Sequence, residues 1–149
     1  MNHYDDELTV RDARAAYFAA SGFAADGGYG DRWVFLKAGT VTVFAFPNTA
    51  GRVRAVRFHD LHHVLTGYDT TWTGEAEIAA WELAAGCARH YAAWVLNIGA
   101  AAIGLFIAPR QVARAFARGR RSRSLYREQF SEELLEQRVG ELRARLNLK

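Results

Sequence analysis

The run His59-Asp60-Leu61-His62-His63 gathers three of the chain's five histidines and an aspartate into five residues. On a helix at about 100° per residue, His59 and His63 lie about 40° apart and one turn along, with Asp60 beside them. Two imidazoles and a carboxylate therefore leave one face. That mixed donor set suits zinc, iron, manganese, cobalt or nickel rather than calcium or magnesium. A fourth ligand must come from another element. Glu75 opens the next predicted helix after a short loop, so it can fold back across the histidine face. The expected site is His59, Asp60, His63 and Glu75 around one divalent metal, with zinc the first candidate. A histidine pair at this spacing with an acid between also occurs on solvated helix faces. His62 points about 60° away and reads as a supporting or solvated residue. Glu82, seven residues after Glu75, returns to nearly the same face and is the candidate catalytic, proton-handling group. His3 and His90 have no evident partner.

The elements that must position these residues are mostly helical. Thr9 caps a short Ala-rich helix with Asp12 at its third position, and Gly22 stops it. Arg32 to Lys37 and Thr40 to Phe46, rich in Val, Phe, Trp and Thr, flank Ala38-Gly39 and read as a β-hairpin closed by Pro47-Asn48. A helix from Asn48 or Thr49 should run to Thr66 and end at Gly67. A second should run from Glu75 to His90. Ala92 to Ala108 is a long apolar stretch with one strongly polar residue, Asn97, and Pro109 marks a new helix start. Ser131, followed by Glu132 and Glu133, caps a last helix with Leu134, Leu135, Val139, Leu142 and Leu146 on one side. The expected fold is a single, mainly α domain with a small N-terminal β-hairpin. Its parts are a metal-binding helix pair over about 49–90, an apolar helix over 92–108, a basic amphipathic segment over 110–127 and a C-terminal helix over 131–147.

Composition sets outer bounds. At 149 residues, half of them hydrophobic and 23% charged, the chain suits one folded domain rather than two or a disordered polymer. The lone Cys87 rules out an internal disulfide and a cysteine-rich zinc knot, and reads as a small buried hydrophobe. Met1 to Glu7 is acidic and polar, without the apolar core of a secretory signal, so the expected location is cytoplasmic.

The run from His59 to Tyr68, followed after eleven intervening residues from His63 by Glu75, resembles the His-Asp-x-x-His-x(11)-Glu signature of the coenzyme Q biosynthesis protein 4 family. All four signature residues match at the right spacing, as do the His-Val-Leu-x-Gly and Gly-Glu contexts. The likeness is clear over Arg57 to Leu83 and looser in the apolar helix and Pro109-Arg110. The resemblance implies a helical, membrane-associated protein of ubiquinone synthesis. It implies a divalent metal, often taken as zinc, on His59, Asp60, His63 and Glu75. It also implies either oxidative removal of the ring carboxylate from a prenylated benzoate or a scaffolding role among other quinone-biosynthesis proteins. Other metal families fit less well. Gluzincins need Glu directly after the first His, where this chain has Asp60, and ferritin-like sites need two Glu-x-x-His pairs.

Two readings stay open for the apolar helix. Gly99, Ala100, Ala101, Ala102 and Gly104 leave a face without bulk, which permits either close helix packing or a groove for an isoprenoid chain. The groove reading places Trp94, Ile98, Gly99, Ala102, Leu105 and Phe106 against the lipid. Seventeen residues rise about 26 Å, short of a bilayer core of about 30 Å, so a buried helix is favoured over a membrane span. Seven arginines between Arg110 and Arg127 have no acid among them, and Arg110, Arg114 and Arg118 share one side of a helix. That row is expected on anionic lipid at the inner face of the membrane, since no helix-turn-helix, finger or aromatic RNA-binding signature supports nucleic acid. Enzyme and non-catalytic lipid carrier with a structural metal are the two functional expectations, with the enzyme preferred.

Overall fold

The computed structural model describes residues 3–38 and 40–148, and it is mainly α-helical with one two-stranded antiparallel sheet near the N-terminus. The elements are α1 (Val10–Ser21), β1 (Trp33–Ala38), β2 (Val41–Pro47), α2 (Ala50–Thr66), α3 (Trp72–Ala85), α4 (Tyr91–Ile107), α5 (Pro109–Gly119), a 3-10 turn (Leu125–Arg127), α6 (Glu132–Glu136) and α7 (Val139–Arg145). Side-chain oxygens start most of the helices, because the first N–H groups have no partner inside the helix. Thr9 accepts from the Asp12 N–H, Thr49 from Arg52, Thr71 from Gly74 and Ser131 from Leu134. The hairpin pairs Trp33 with Pro47 and Val34 with Phe46, and its register shifts between Leu36 and Lys37. The expected turn at Ala38-Gly39 includes Gly39, which lies outside the described residues.

Helix α2 is the central element. Its apolar side meets α1 and α7, with α6 packed on α1, in a core that includes Tyr17, Phe58, Leu61, Leu65, Leu135 and Leu142. Helix α3 packs along both α4 and α5 in a second core built on Ile78, Trp81, Ala101, Val112 and Ala115. The approach of α4 to α3 is close because Ala93, Ala101 and Gly104 form the buried stripe; a Cβ on Gly104 would run into Ala76 and Val112. The small residues thus serve packing on one side of α4. Gly99 and Ala102 lie on the other side, where a Cβ on Gly99 would meet nothing.

Three boundaries differ from expectation. Helix α3 starts at Trp72, not Glu75, because Thr71 supplies the cap and the Asp69 carboxylate accepts from the Thr71 N–H and hydroxyl. It ends at Ala85, not His90, where Gly86 takes φ 95° and Ala88 φ 46°, turning the chain toward α4. The C-terminal helix is broken at Gln137 and Arg138, both extended. There the backbone pairs instead with the N-terminal segment: the Val10 N–H donates to Gln137 and the Val139 N–H to Leu8. The basic stretch is likewise not one element. Helix α5 stops at Gly119, and the 3-10 turn that follows sends Leu125 and Tyr126 into the core.

Candidate metal centre

The C-terminal end of α2 is held by a full set of donors, and that end carries the histidines. The last four carbonyls of a helix lack internal partners. Here Gly67, left-handed at φ 80°, donates its N–H to the His63 carbonyl at 2.9 Å. The Arg143 guanidinium donates to Val64 at 3.1 Å and Leu65 at 3.0 Å, and Arg118 donates to Thr66 at 2.9 Å. Two cations thus sit where the helix dipole is negative. Arg118 also lies over the Tyr68 ring, 5.4 Å from its centroid. It is therefore a structural clamp and not, as expected, a free member of the lipid-facing row. Arg110 and Arg114 remain exposed.

On this fixed helix His59 and His63 turn their Nε2 atoms toward each other, 3.2 Å apart. Glu75, in the first turn of α3, places one carboxylate oxygen 3.4 Å from His59 Nε2 and the other 3.4 Å from His63 Nε2. Ligand bonds of about 2.0–2.1 Å in a tetrahedron put donor atoms roughly 3.3–3.4 Å apart, so the three groups fit around one zinc-like ion. The opposite nitrogen of each ring is already engaged. His63 Nδ1 donates to the Tyr68 carbonyl at 2.9 Å, and His59 Nδ1 lies 3.0 Å from Glu82 Oε1. Both Nε2 atoms therefore face the site, each able to offer a lone pair to an ion once any proton on it is displaced. Nearly parallel stacking of Tyr17 on His63, with centroids 5.3 Å apart, fixes that ring's plane. The His63 side chain is fully buried, while those of His59 and Glu75 are 21% and 38% exposed, leaving the centre open to solvent on their side.

The charges reinforce one another. Burial resists ionisation of Glu75, yet hydrogen bonds from His59 and His63 hold its carboxyl far below the usual range. Burial also works against a charged His59, but Glu82 and Glu75 outweigh it and raise that imidazole well above its ordinary value. Such a cluster of two imidazoles and a carboxylate attracts a proton or a cation.

Asp60, the fourth expected ligand, stands apart from the three mutually close donors. Its Oδ2 accepts from the Tyr29 hydroxyl at 2.6 Å, and burial raises its pKa against the opposing pull of Tyr29 and His59. It ties α2 to the loop before the hairpin. Asn48 adds to that tie by donating to the Asp31 carbonyl at 2.8 Å while accepting from Arg52 at 2.7 Å.

Glu82 also takes a place other than the one expected. It is fully buried, with Oε1 against His59 Nδ1 and His62 Nδ1 and Oε2 against Asn97 Nδ2 and the Tyr126 hydroxyl. Burial disfavours its charge, but His59 and His62 hold the carboxyl well below its usual range. It lies behind His59 and does not reach the open side as a proton carrier. His62 is buried rather than solvated; its Nε2 accepts the Leu125 N–H at 2.9 Å, and burial lowers its pKa in spite of Glu82. His90 packs edge-on to Phe58 and tilts against Tyr126, so it has partners the sequence did not suggest. Cys87 is buried as expected, its thiol pushed up to about 12 by burial. Sequence reasoning missed Tyr29, Asn97 and Tyr126. Of these only Asn97, the lone strongly polar residue of an apolar helix, left a signal.

The residues assigned to an isoprenoid groove form an open surface. On α4, Ile98 and Leu105 are more than half exposed and Phe106 is 90% exposed, and Trp94, Gly99 and Ala102 share that solvent side. Among the described residues no helix is long and apolar enough to cross a membrane. No family model, curated protein or solved structure matches this chain. The metal-centre reading therefore stands on the residues themselves.

Proposed function

We propose that this protein is a metal-dependent enzyme of ubiquinone-type prenylquinone synthesis, acting at a membrane surface on a prenylated aromatic acid. The observation that carries the reading is the convergence of His59 Nε2, His63 Nε2 and Glu75 at tetrahedral spacing on a partly exposed side. Those three residues would hold the ion. Three protein ligands with a free position is the pattern of catalytic zinc, whereas structural sites are closed by four. When bound, a divalent ion supplies a Lewis acid for a ring carboxylate or phenolate oxygen. The protein's part is to fix the ligands, and Tyr17, Tyr68, Glu82 and the clamped end of α2 do so. The motif spacing of His59, Asp60, His63 and Glu75, resembling that of the coenzyme Q biosynthesis protein 4 family, supports the substrate class. The open apolar side of α4, followed directly by exposed Arg110 and Arg114, supports a seat on anionic lipid at the cytoplasmic face.

The reaction proposed is exchange of the ring carboxylate for hydroxyl: the ring–carboxyl bond breaks, the carboxyl carbon leaves as CO2, water supplies the new hydroxyl oxygen, and dioxygen takes up the two electrons and two protons as hydrogen peroxide. Zinc-, iron- and manganese-loaded protein should be incubated with a prenylated hydroxybenzoate and dioxygen while loss of the carboxylate is followed. Conversion by at least one loaded form is expected, with none from His63→Ala. Stoichiometric lipid binding without conversion would contradict the enzyme and favour the carrier.

A further inference from the structure

We infer that Glu82 is the positioning residue that sorts the three histidines of α2, presenting His59 to the metal by Nε2 and keeping His62 out of the centre. The inference rests on the metal-centre reading above.

The Leu125 N–H donates to His62 Nε2 at 2.9 Å, so the proton of that neutral ring is on Nδ1, and Glu82 Oε1, 2.6 Å away, accepts it. His59 Nδ1 faces the same accepting oxygen at 3.0 Å, which leaves the lone pair of each neutral ring on Nε2. For His59 that lone pair faces Glu75 and His63. For His62 it takes the Leu125 N–H at 2.9 Å, so both of its nitrogens are consumed within the core. One carboxylate thus makes a ligand of one histidine and a structural strut of its neighbour three residues on.

Glu82 is 0% exposed, and a charge that deep is tolerated only when its acceptor sites are filled. Asn97 donates to Oε2 at 2.5 Å and Tyr126 at 2.8 Å, completing a cradle from α2, α4 and the 3-10 turn. Asn97 is the one strongly polar residue on the buried stripe of α4, and this bond explains its presence there. A carboxylate fixed behind a ligating imidazole orients the ring and strengthens it as a donor.

Glu82→Gln removes the charge and keeps the size. Its carbonyl oxygen can still face both histidines while its amide donates to Asn97, once that side chain turns its oxygen inward, and to the Tyr126 oxygen. Zinc affinity should be measured by competition with a chromophoric chelator, and the ligand field by the visible spectrum of the cobalt-loaded protein. The expected result for Glu82→Gln is one ion per chain, affinity about 10- to 100-fold weaker than wild type, a shifted cobalt spectrum and unchanged helix content. Tyr126→Phe, which removes one donor and leaves the carboxylate, should weaken zinc by a smaller factor, and it carries the test if the first variant does not fold. Wild-type affinity and spectrum in the folded variant would overturn the role of Glu82 alone. Failure of wild type to bind either metal would overturn the metal centre itself.

Discussion

Arg143→Ala should lower folding stability by about 3–5 kcal/mol, the range for breaking a buried charged network by removing one partner. The guanidinium is 7% exposed and donates to four oxygens: the carbonyls of Val64, Leu65 and Tyr4, and Asp6 Oδ1. Alanine would leave two carbonyls at the end of α2 without their donors and would empty the space the side chain fills. Arg143→Lys should recover only part of the loss, because a single ammonium cannot reproduce the planar fork. Urea denaturation measures the effect, and a change below about 1 kcal/mol would contradict the clamp. The consequence extends to the site, since the helix end that Arg143 holds carries His63. Metal binding should weaken alongside stability.

Phe106→Asp should reduce partition onto anionic vesicles by about 10- to 100-fold. Burying a phenyl ring stabilises by about 1.5–3 kcal/mol, and each factor of ten is about 1.4 kcal/mol. Phe106 is 90% exposed and makes no part of either core, so the change should leave the fold intact. Arg110→Glu with Arg114→Glu should give a loss of similar size that added salt abolishes, since basic residues near an anionic surface contribute about 1 kcal/mol each. Co-sedimentation with phosphatidylserine vesicles reads both. Equal binding of wild type and Phe106→Asp would contradict the seating of α4 on lipid.

What the sequence revealed followed the range of the interactions involved. Caps and stops depend on a few neighbouring residues, and Thr9, Gly22, Gly67, Pro109 and Ser131 were legible as such. The close approach of His59 and His63 follows from helical periodicity alone, and Glu75 lies one short loop away. Asp60 was misplaced because its partner, Tyr29, lies 31 residues upstream on a loop with no local pattern to reveal it. The apolar spacing from Leu134 to Leu146 continues helically through Gln137 and Arg138, yet pairing with Leu8 and Val10 won there. Glu82 shows the limit of helical-wheel reasoning. Seven residues return to the same angle as Glu75 but stand about 10.5 Å further along the axis. Angle placed Glu82 on the correct side of α3, while rise placed it behind His59 rather than in front.

Metal content of the purified full chain tests the account at its centre. Wild type, His59→Ala, His63→Ala and Glu75→Ala should be dialysed against buffered zinc, freed of loose ions and analysed for metal per chain, with circular dichroism confirming the fold. The account predicts about one ion per wild-type chain. Each single-ligand variant should lose about a hundredfold or more in affinity, one ligand's share of an apparent zinc-binding free energy of about 10–16 kcal/mol for a four-ligand site. Equal zinc in wild type and the three folded variants, or none in any of them, would contradict it.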